Sequence, residues 1–375
     1  MRRPIAVATV VALACLASLS ARAVPAQQDG DYIAHDFHFR DGETLPEMRL
    51  HYMTLGAPRK DAQGVVRNAV LILHGTTGSG RQFLAPVFAG ELFGPGQLLD
   101  TARYYIILPD GIGHGKSSKP SDGLHARFPH YDYDDMVAAQ HELLVKGLGV
   151  NHLFLVMGTS MGGMHTWVWG EMYPDFMDGL VPLASLPGPI SGRNRMMRRM
   201  MMDDITKDPA YHAGDYTAEP PGLEAALQLL FMMTSSPRQL QKDAPTAQAA
   251  DAYIEKWQRD VLAREDANDY LYAFDASRTY DPSRALERIQ APLLAINSAD
   301  DQVNPPELGV MEALMPRVKH GTYVLIPISD RTRGHGTHTL AAVWKGELAK
   351  FIAGLVAAGR GIRASGSGAP RPGML

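Results

Sequence analysis

Cysteine is almost missing from this chain: Cys15 is the one cysteine among 375 residues, and it falls inside an amino-terminal apolar stretch. A processed protein would carry no thiol, which removes disulfides and thiolate zinc sites from consideration. The formal net charge is only -4 and no block of lysine and arginine stands out. The electrostatic footprint of a nucleic-acid binder is therefore absent. There is no His-Glu-x-x-His run to seat a catalytic metal, and no internal repeat. What remains is chemistry on a small molecule with no metal and no organic cofactor.

The amino terminus reads Arg2-Arg3, an apolar stretch from Pro4 to Leu19, and then Ala21-Arg22-Ala23. This is the layout of a secretory signal, with cleavage expected after Ala23 or Ala26. Residues 1–23 are taken as the signal, and the processed protein is expected to be secreted or periplasmic, with no stable insertion into a membrane. Lipidation at Cys15 fits poorly, because Ala12-Leu13-Ala14 makes a weak lipobox. Residues 363–375 are rich in Gly, Pro and Ser and read as a disordered tail.

Between these ends, two alternating segments, Tyr32 to Phe39 and Met48 to Thr54, predict strands joined at Asp41-Gly42. Short apolar runs follow at Ala69 to Leu73, Tyr104 to Leu108, Leu153 to Met157, Leu180 to Leu183, Leu293 to Ile296 and Tyr323 to Ile326. The first three suit strands of a parallel sheet buried on both faces, and the later ones continue the β-α alternation. Helical spacing from Tyr131 to Leu148 separates the second run from the third, so the pattern predicts an α/β fold. From Ser191 to about Ser283 strand-like runs stop, and helices are expected around Arg195 to Ile205, Gly222 to Met233 and Ala247 to Ala263. The chain then divides into a core over 27–187, a helical lid inserted over 188–284, and the rest of the core over 285–362. Seven lid methionines, Met196, Met197, Met200, Met201, Met202, Met232 and Met233, are candidates to line a flexible apolar pocket, although filling the core is the commoner use of methionine. The oligomeric state, a homodimer included, stays open.

The chemistry is written where the run Phe154 to Met157 flows into Gly158-Thr159-Ser160-Met161-Gly162-Gly163. A strand that reverses into a helix at Gly-x-Ser-x-Gly is a nucleophile elbow, with the Ser160 hydroxyl exposed and the Met161 N–H free to donate to an oxyanion. Serine is a weak nucleophile until a base takes its proton, and the base needs an acid to fix its tautomer. After the strand Leu293 to Ile296 come Asp300 and Asp301; after the strand Tyr323 to Ile326 come His335 and His338. Loops at the carboxyl ends of parallel strands converge, so a Ser, Asp, His order can assemble at one sheet edge. Asp301 is preferred because Asp-x-Val-x-Pro places it at the start of a turn, which leaves Asp300 as a solvated neighbour. His335 is preferred because it follows Gly334 where the loop meets a helix.

The second oxyanion donor is expected from the loop His74-Gly75-Thr76-Thr77-Gly78-Ser79-Gly80, with the Thr76 N–H as the choice. A phosphate-binding loop would need a Gly-Lys-Ser/Thr ending here. Asp110-Gly111-Ile112-Gly113-His114-Gly115-Lys116-Ser117 lacks a dinucleotide pattern and reads as a structural turn, with His114 a turn residue.

Taken together, His74-Gly75-Thr76-Thr77-Gly78-Ser79, Asp100-Thr101-Ala102-Arg103-Tyr104, Gly158 to Met164, Tyr173-Pro174-Asp175, Asp208-Pro209, Gly214-Asp215-Tyr216, Asp301 with Pro305-Pro306-Glu307, and Gly334-His335 resemble the α/β-hydrolase superfamily. Within it they resemble the homoserine O-acetyltransferase family, from about Leu71 to Ala353. The resemblance implies a Ser160, Asp301, His335 triad and an acyl-Ser160 intermediate, passed to an alcohol or to water. Acetylating members carry an Asn-x-x-Gly and Gly-Ser-Thr-Gly-Pro stretch where this chain has Asp110 to Gly115. They also carry an arginine ahead of the Asp-Pro pair; counting back from Asp208 reaches Met202, with Arg198 and Arg199 out of step. Export would further separate the protein from cytosolic acetyl-CoA. The expected activity is cleavage of a small-molecule carboxylic ester, with O-acyl transfer as the rival and a non-catalytic binder of the same fold as the other class.

Overall fold

The computed structural model describes residues 27–361; the proposed signal, Cys15 and the whole of the proposed tail lie outside them. One sheet of eight strands organises the chain, in the order β1-β2-β4-β3-β5-β6-β7-β8. Its strands are β1 (Gln28–His38), β2 (Thr44–Leu55), β3 (Ala69–Leu73), β4 (Tyr105–Pro109), β5 (Leu155–Thr159), β6 (Leu180–Leu183), β7 (Leu293–Ser298) and β8 (Gly321–Ile326). β1 pairs antiparallel with β2, and β2 antiparallel with β4, while every later neighbour is parallel.

Every residue of β3, β4, β5, β6 and β7 is buried, so these strands could be read as unbroken apolar runs. Burial on both faces requires a layer on each side, and the pleat divides the side chains between them. Leu71, Leu73, Val156, Leu293 and Ala295 enter one core with Trp167 and Trp169, while Val70, Ile72, Leu155, Leu294 and Ile296 enter the other with Phe88 and Trp344. The first core lies under α2 (Tyr133–Glu142) and α3 (Met161–Met172); the second lies under α1 (Ala89–Leu92) and α10 (Ala341–Ala357). Leu180 and Leu183 split in the same way, one residue to each core.

Between β6 and β7 stand α4 (Gly192–Thr206), α5 (Pro221–Thr234), α6 (Pro237–Asp243), α7 (Ala247–Leu262) and α8 (Ala267–Asp275), and α9 (Val310–Leu314) follows β7. This helical segment has a small core of its own, built from Met197, Met201, Ile205, Leu223, Leu227, Tyr270 and Phe274. Helix α8 is one the sequence reading did not single out. Its signals were available: Asp266 caps it by accepting from the Asp269 N–H, and Ala267, Tyr270, Leu271 and Phe274 follow helical spacing. β5 also runs two residues beyond its predicted end, because Gly158 pairs with Leu73 and Pro182 and Thr159 with Leu183.

Helix α3 ends in a half-buried acid. Glu171 Oε1 has no hydrogen-bond partner, and burial, followed by the nearby Asp134, raises its pKa to about 8 against the pull of Arg288. A carboxyl whose folded-state pKa lies above its unfolded value favours folding while protonated and loses that advantage as pH rises toward 8. Glu171→Gln is therefore expected to match the wild type near pH 4. At pH 8 it should be more stable by roughly 1–2 kcal/mol, allowing for the solvent that still reaches the group; urea midpoints across that range measure the difference.

Candidate active site

Ser160 stands between β5 and α3 with φ 56° and ψ −114°, a conformation that L side chains rarely adopt. The surroundings leave it no alternative. Its N–H donates to the Leu183 carbonyl at 2.9 Å, and its own carbonyl accepts from the Met164 N–H at 2.9 Å. A Cβ on Gly158 would lie 2.0 Å from the Gly162 carbonyl oxygen, and a Cβ on Gly162 would lie 2.0 Å from that of Leu73. The glycines of the motif are thus a demand for space where strand and helix cross.

The structure brings Ser160, His335 and Asp301 together. His335 Nδ1 is 2.8 Å from Asp301 Oδ2, and its Nε2 is 2.8 Å from Ser160 Oγ. A carboxylate can only accept, so Nδ1 carries the proton and Nε2 is left to accept from the serine hydroxyl. Asp301 is fully buried, and its oxygens also accept from the Val303 N–H at 2.8 Å, the Asn304 N–H at 3.2 Å and Asn304 Nδ2 at 3.2 Å. Burial by itself would raise its pKa, but the His335 ring and these hydrogen bonds outweigh burial and hold it below the ordinary carboxylate value. Asp301 is therefore an anion throughout the neutral range. His338 lies elsewhere: its ring packs edge-on against His335 with centroids 5.1 Å apart. Its Nδ1 has no partner, and burial, then His335, lowers its pKa to about 3. Among the described residues no group of three or more His, Cys, Asp or Glu side chains could hold a metal ion.

The loop after β3 passes directly over the serine, since a Cβ on Gly75 would sit 3.4 Å from Ser160 Cβ. Thr76 follows in that loop, and Met161 opens α3, where the first N–H groups of a helix have no intrahelical acceptor. Among the described residues neither of these two N–H groups donates a hydrogen bond. A cavity of about 660 Å³ begins at Thr76 and His114 and runs out under the helical segment, along Leu227, Leu230, Phe231, Trp257, Val261 and Tyr270. Its charged wall includes Arg81, Lys119, Glu265 and Asp269. Burial raises Glu265 to a pKa of about 7 and Asp269 to about 6.

The seven methionines divide: none lines the cavity at Thr76, while Met232 borders a second one with Phe231, Leu240 and Ile254. Helical spacing turns Met197 and Met201 into the segment's own core and leaves Met196 and Met200 exposed; Met202 and Met233 pack against that core, and Met232 is exposed. Leucines and aromatics line the cavity instead.

Arg198, out of step with Met202 in the count from Asp208, shares its helix. One helical turn separates it from Met202, so both sit on the same face of α4 and a one-turn offset in the count leaves the direction unchanged. The Arg198 side chain is buried, with Nε donating to Asn194 Oδ1 at 3.0 Å and Nη1 to Ser277 Oγ at 3.1 Å. Its guanidinium lies over the Phe274 ring, and burial lowers its pKa with no carboxylate among the groups acting on it. Beside it is the Tyr133 hydroxyl, also near Ser277 and Thr76, which is buried and has no partner at hydrogen-bond geometry. The sequence reading missed Tyr133 and Ser277, for which no motif signals.

Asp300, expected as a solvated neighbour, is buried instead. Its Oδ2 accepts from the Gly334 N–H at 3.0 Å and from Ser236 Oγ at 3.4 Å, and its Oδ1 from Ser298 Oγ at 2.5 Å. The acid next to Asp301 thus fastens the residue before His335 to the end of β7 and to the junction of α5 and α6. Asp300→Ala strands the buried Gly334 N–H, a loss of about 1–3 kcal/mol. The variant is expected to unfold several degrees lower and to react with a fluorophosphonate at Ser160 about tenfold more slowly, since small errors in His335 placement are costly.

Comparison with known proteins agrees with this architecture. Residues 68–326 match the family model described as the alpha/beta hydrolase fold. A probable acyltransferase from Methanothermobacter thermautotrophicus is 30% identical over 290 residues, covering 76% of this chain and 86% of that protein. The homoserine O-acetyltransferase of Pelobacter propionicus is 32% identical over 310 residues, covering 73% and 82%. In fold, the chain is similar to esterase E22 (TM-score 0.75, 19% identity, 88% of this chain and all 100% of that one). It is equally similar to the homoserine O-acetyltransferase of Bacillus anthracis (TM-score 0.75, 21% identity, covering 87% and 97%). The eight-stranded sheet, the elbow after β5 and these relatives place the chain in the α/β-hydrolase family, in its homoserine O-acetyltransferase-like branch.

Proposed function

We propose that this protein is a serine hydrolase that cleaves a carboxylic ester through an acyl-Ser160 intermediate. The observation that carries the reading is the unbroken line from Asp301 through His335 to the Ser160 hydroxyl, with both contacts at 2.8 Å. As Ser160 Oγ attacks the acyl carbon, its proton passes to His335 Nε2, and the imidazolium is stabilised by the Asp301 anion. The carbonyl oxygen becomes an oxyanion facing the N–H groups of Thr76 and Met161. Collapse of the tetrahedral species breaks the ester C–O bond, and the proton on Nε2 goes to the departing alcohol. Water, deprotonated in turn by Nε2, adds to the acyl carbon and releases the acid and free Ser160. Export is part of the reading: residues 1–23 look like a signal, and outside the cytosol water is at hand while acetyl-CoA is not. The helices between β6 and β7 serve as the lid, since they roof the cavity that begins at Thr76.

A second reading, acyl transfer to a hydroxyl-bearing acid, is favoured by the buried Arg198. Its guanidinium lacks a carboxylate among the described residues and stands beside the unpartnered Tyr133 hydroxyl. Relatives named as acetyltransferases point the same way. A cation desolvated without a counterion is costly unless a ligand supplies the charge.

Two measurements test these readings. On p-nitrophenyl esters of increasing chain length, Ser160→Ala is expected to lose about 10³-fold or more in kcat and to lose labelling by a fluorophosphonate. Full activity in that variant would overturn the mechanism, and an unlabelled wild type would favour a non-catalytic binder. Product partition in the presence of homoserine separates the two enzymes, water being the expected acceptor. If the alcohol carries a carboxylate, Arg198→Met should raise KM about 10- to 100-fold for that ester and leave KM for p-nitrophenyl acetate unchanged.

A further inference from the structure

Two buried histidines beside Ser160, His74 and His114, are not used by the reaction proposed above. We infer that His114 is a positioning residue: together with His74 it fixes the backbone on both sides of Thr76 so that the Thr76 N–H faces the developing oxyanion. The inference rests on the acyl-Ser160 reading.

The peptide between Gly75 and Thr76 is planar and trans, so its C=O and N–H point in opposite directions. Holding the carbonyl therefore aims the N–H. The Gly75 carbonyl accepts from the Gly78 N–H at 3.0 Å and from His74 Nδ1 at 2.8 Å. The His74 tautomer is settled by its other nitrogen, because Nε2 accepts from the Gly111 N–H at 2.9 Å and leaves the proton on Nδ1. Burial, then the neighbouring His114, lowers the His74 pKa to about 3, which keeps the ring in this neutral form.

The peptide on the other side of Thr76 is held by His114, whose Nε2 stands 2.7 Å from the Thr76 carbonyl oxygen. A carbonyl can only accept, so this contact is a hydrogen bond in the tautomer that carries the proton on Nε2. His114 Nδ1 is 2.8 Å from the Ile112 carbonyl, another acceptor; a neutral ring serves one of the two, and the tautomer with the proton on Nε2 is the one that secures Thr76. The turn bearing His114 is anchored in its own right: Asp110 Oδ1 accepts from the Gly80 N–H at 2.8 Å and Oδ2 from the Lys116 N–H at 2.9 Å. The loops after β3 and β4 are thereby laced together on both flanks of Thr76. The two peptide planes that meet at the Thr76 Cα are both pinned, and a preorganised donor needs no rearrangement as charge develops.

The test compares full-length wild type, His114→Phe and His114→Gln, the last keeping an N–H donor. Hydrolysis of p-nitrophenyl acetate, inhibition by a trifluoromethyl ketone that forms an oxyanion on the serine, and thermal unfolding are measured for each. We expect His114→Phe to lose about 10- to 100-fold in kcat with KM nearly unchanged. Trifluoromethyl ketone affinity should fall by the same factor, and His114→Gln should recover most of both. A folded His114→Phe with wild-type kcat and inhibitor affinity would overturn the inference. So would a loss of kcat that only tracks the folded fraction while inhibitor affinity holds. Should His114→Phe fail to fold, His114→Asn, too short to reach the Thr76 carbonyl, is judged by the same criteria. A wild type with no Ser160-dependent esterase activity would instead undo the reaction reading itself.

Discussion

The crossing of β5 and α3 at Ser160 is the constraint on which the site depends. A serine held at φ 56° is unfavourable locally, and conformations of that kind cost of order 1–3 kcal/mol. They persist only where the surroundings over-determine them. Here the over-determination comes from neighbours on both sides: β6 accepts the Ser160 N–H through Leu183, and the end of β3 lies so close to Gly162 that no side chain would fit. Those neighbours are immovable because their strands are buried on both faces. The rigidity of the sheet is thereby converted into a fixed direction for one hydroxyl.

Around that hydroxyl the interior is unusually polar, and its groups fall into two kinds. Asp301, Asp300 and His74 have their hydrogen-bonding capacity met by named partners, and each fixes a loop relative to a strand end. Arg198 and the Tyr133 hydroxyl are different, being buried with charge or hydrogen-bonding capacity left over. Satisfied buried networks confer a unique geometry, while unsatisfied buried groups are destabilising unless something else completes them. The first kind is thus scaffold, and the second comes near the loop after β3 through the Tyr133 hydroxyl beside Thr76.

Sequence alone revealed the parts of this arrangement that are properties of a line. Ala69–Leu73 and Leu180–Leu183 coincide with β3 and β6, because a strand buried on both faces leaves an unbroken apolar run. The order of Ser160, Asp301 and His335 was legible because each follows an apolar run, although the strand before His335, β8, lies at the sheet edge and is partly exposed. Properties of a face were harder to read. The methionines of α4 were counted as a set, yet spacing sends Met197 inward and Met196 outward. Arg198 and Met202 share a helix face because they stand one turn apart, which a residue count along the chain does not display. Asp300 looked redundant beside Asp301 because the N–H it holds belongs to Gly334, which no local pattern connects to it.

That last contact also bears on how the helical segment and the chemistry are joined. Asp300 reaches Ser236, at the junction of α5 and α6, and the Ser235 carbonyl lies so close to Gly334 that a Cβ there would be 2.7 Å away. The loop carrying His335 is therefore packed against the same helices that roof the cavity at Thr76. A displacement of α5 that widened the cavity would pull on the support of His335, and α7 is tied to the same movement, because Phe231 of α5 packs against Trp257 of α7 with ring centroids 4.7 Å apart. Pressure on the α5 side is transmitted to His335, where small displacements carry large losses in rate.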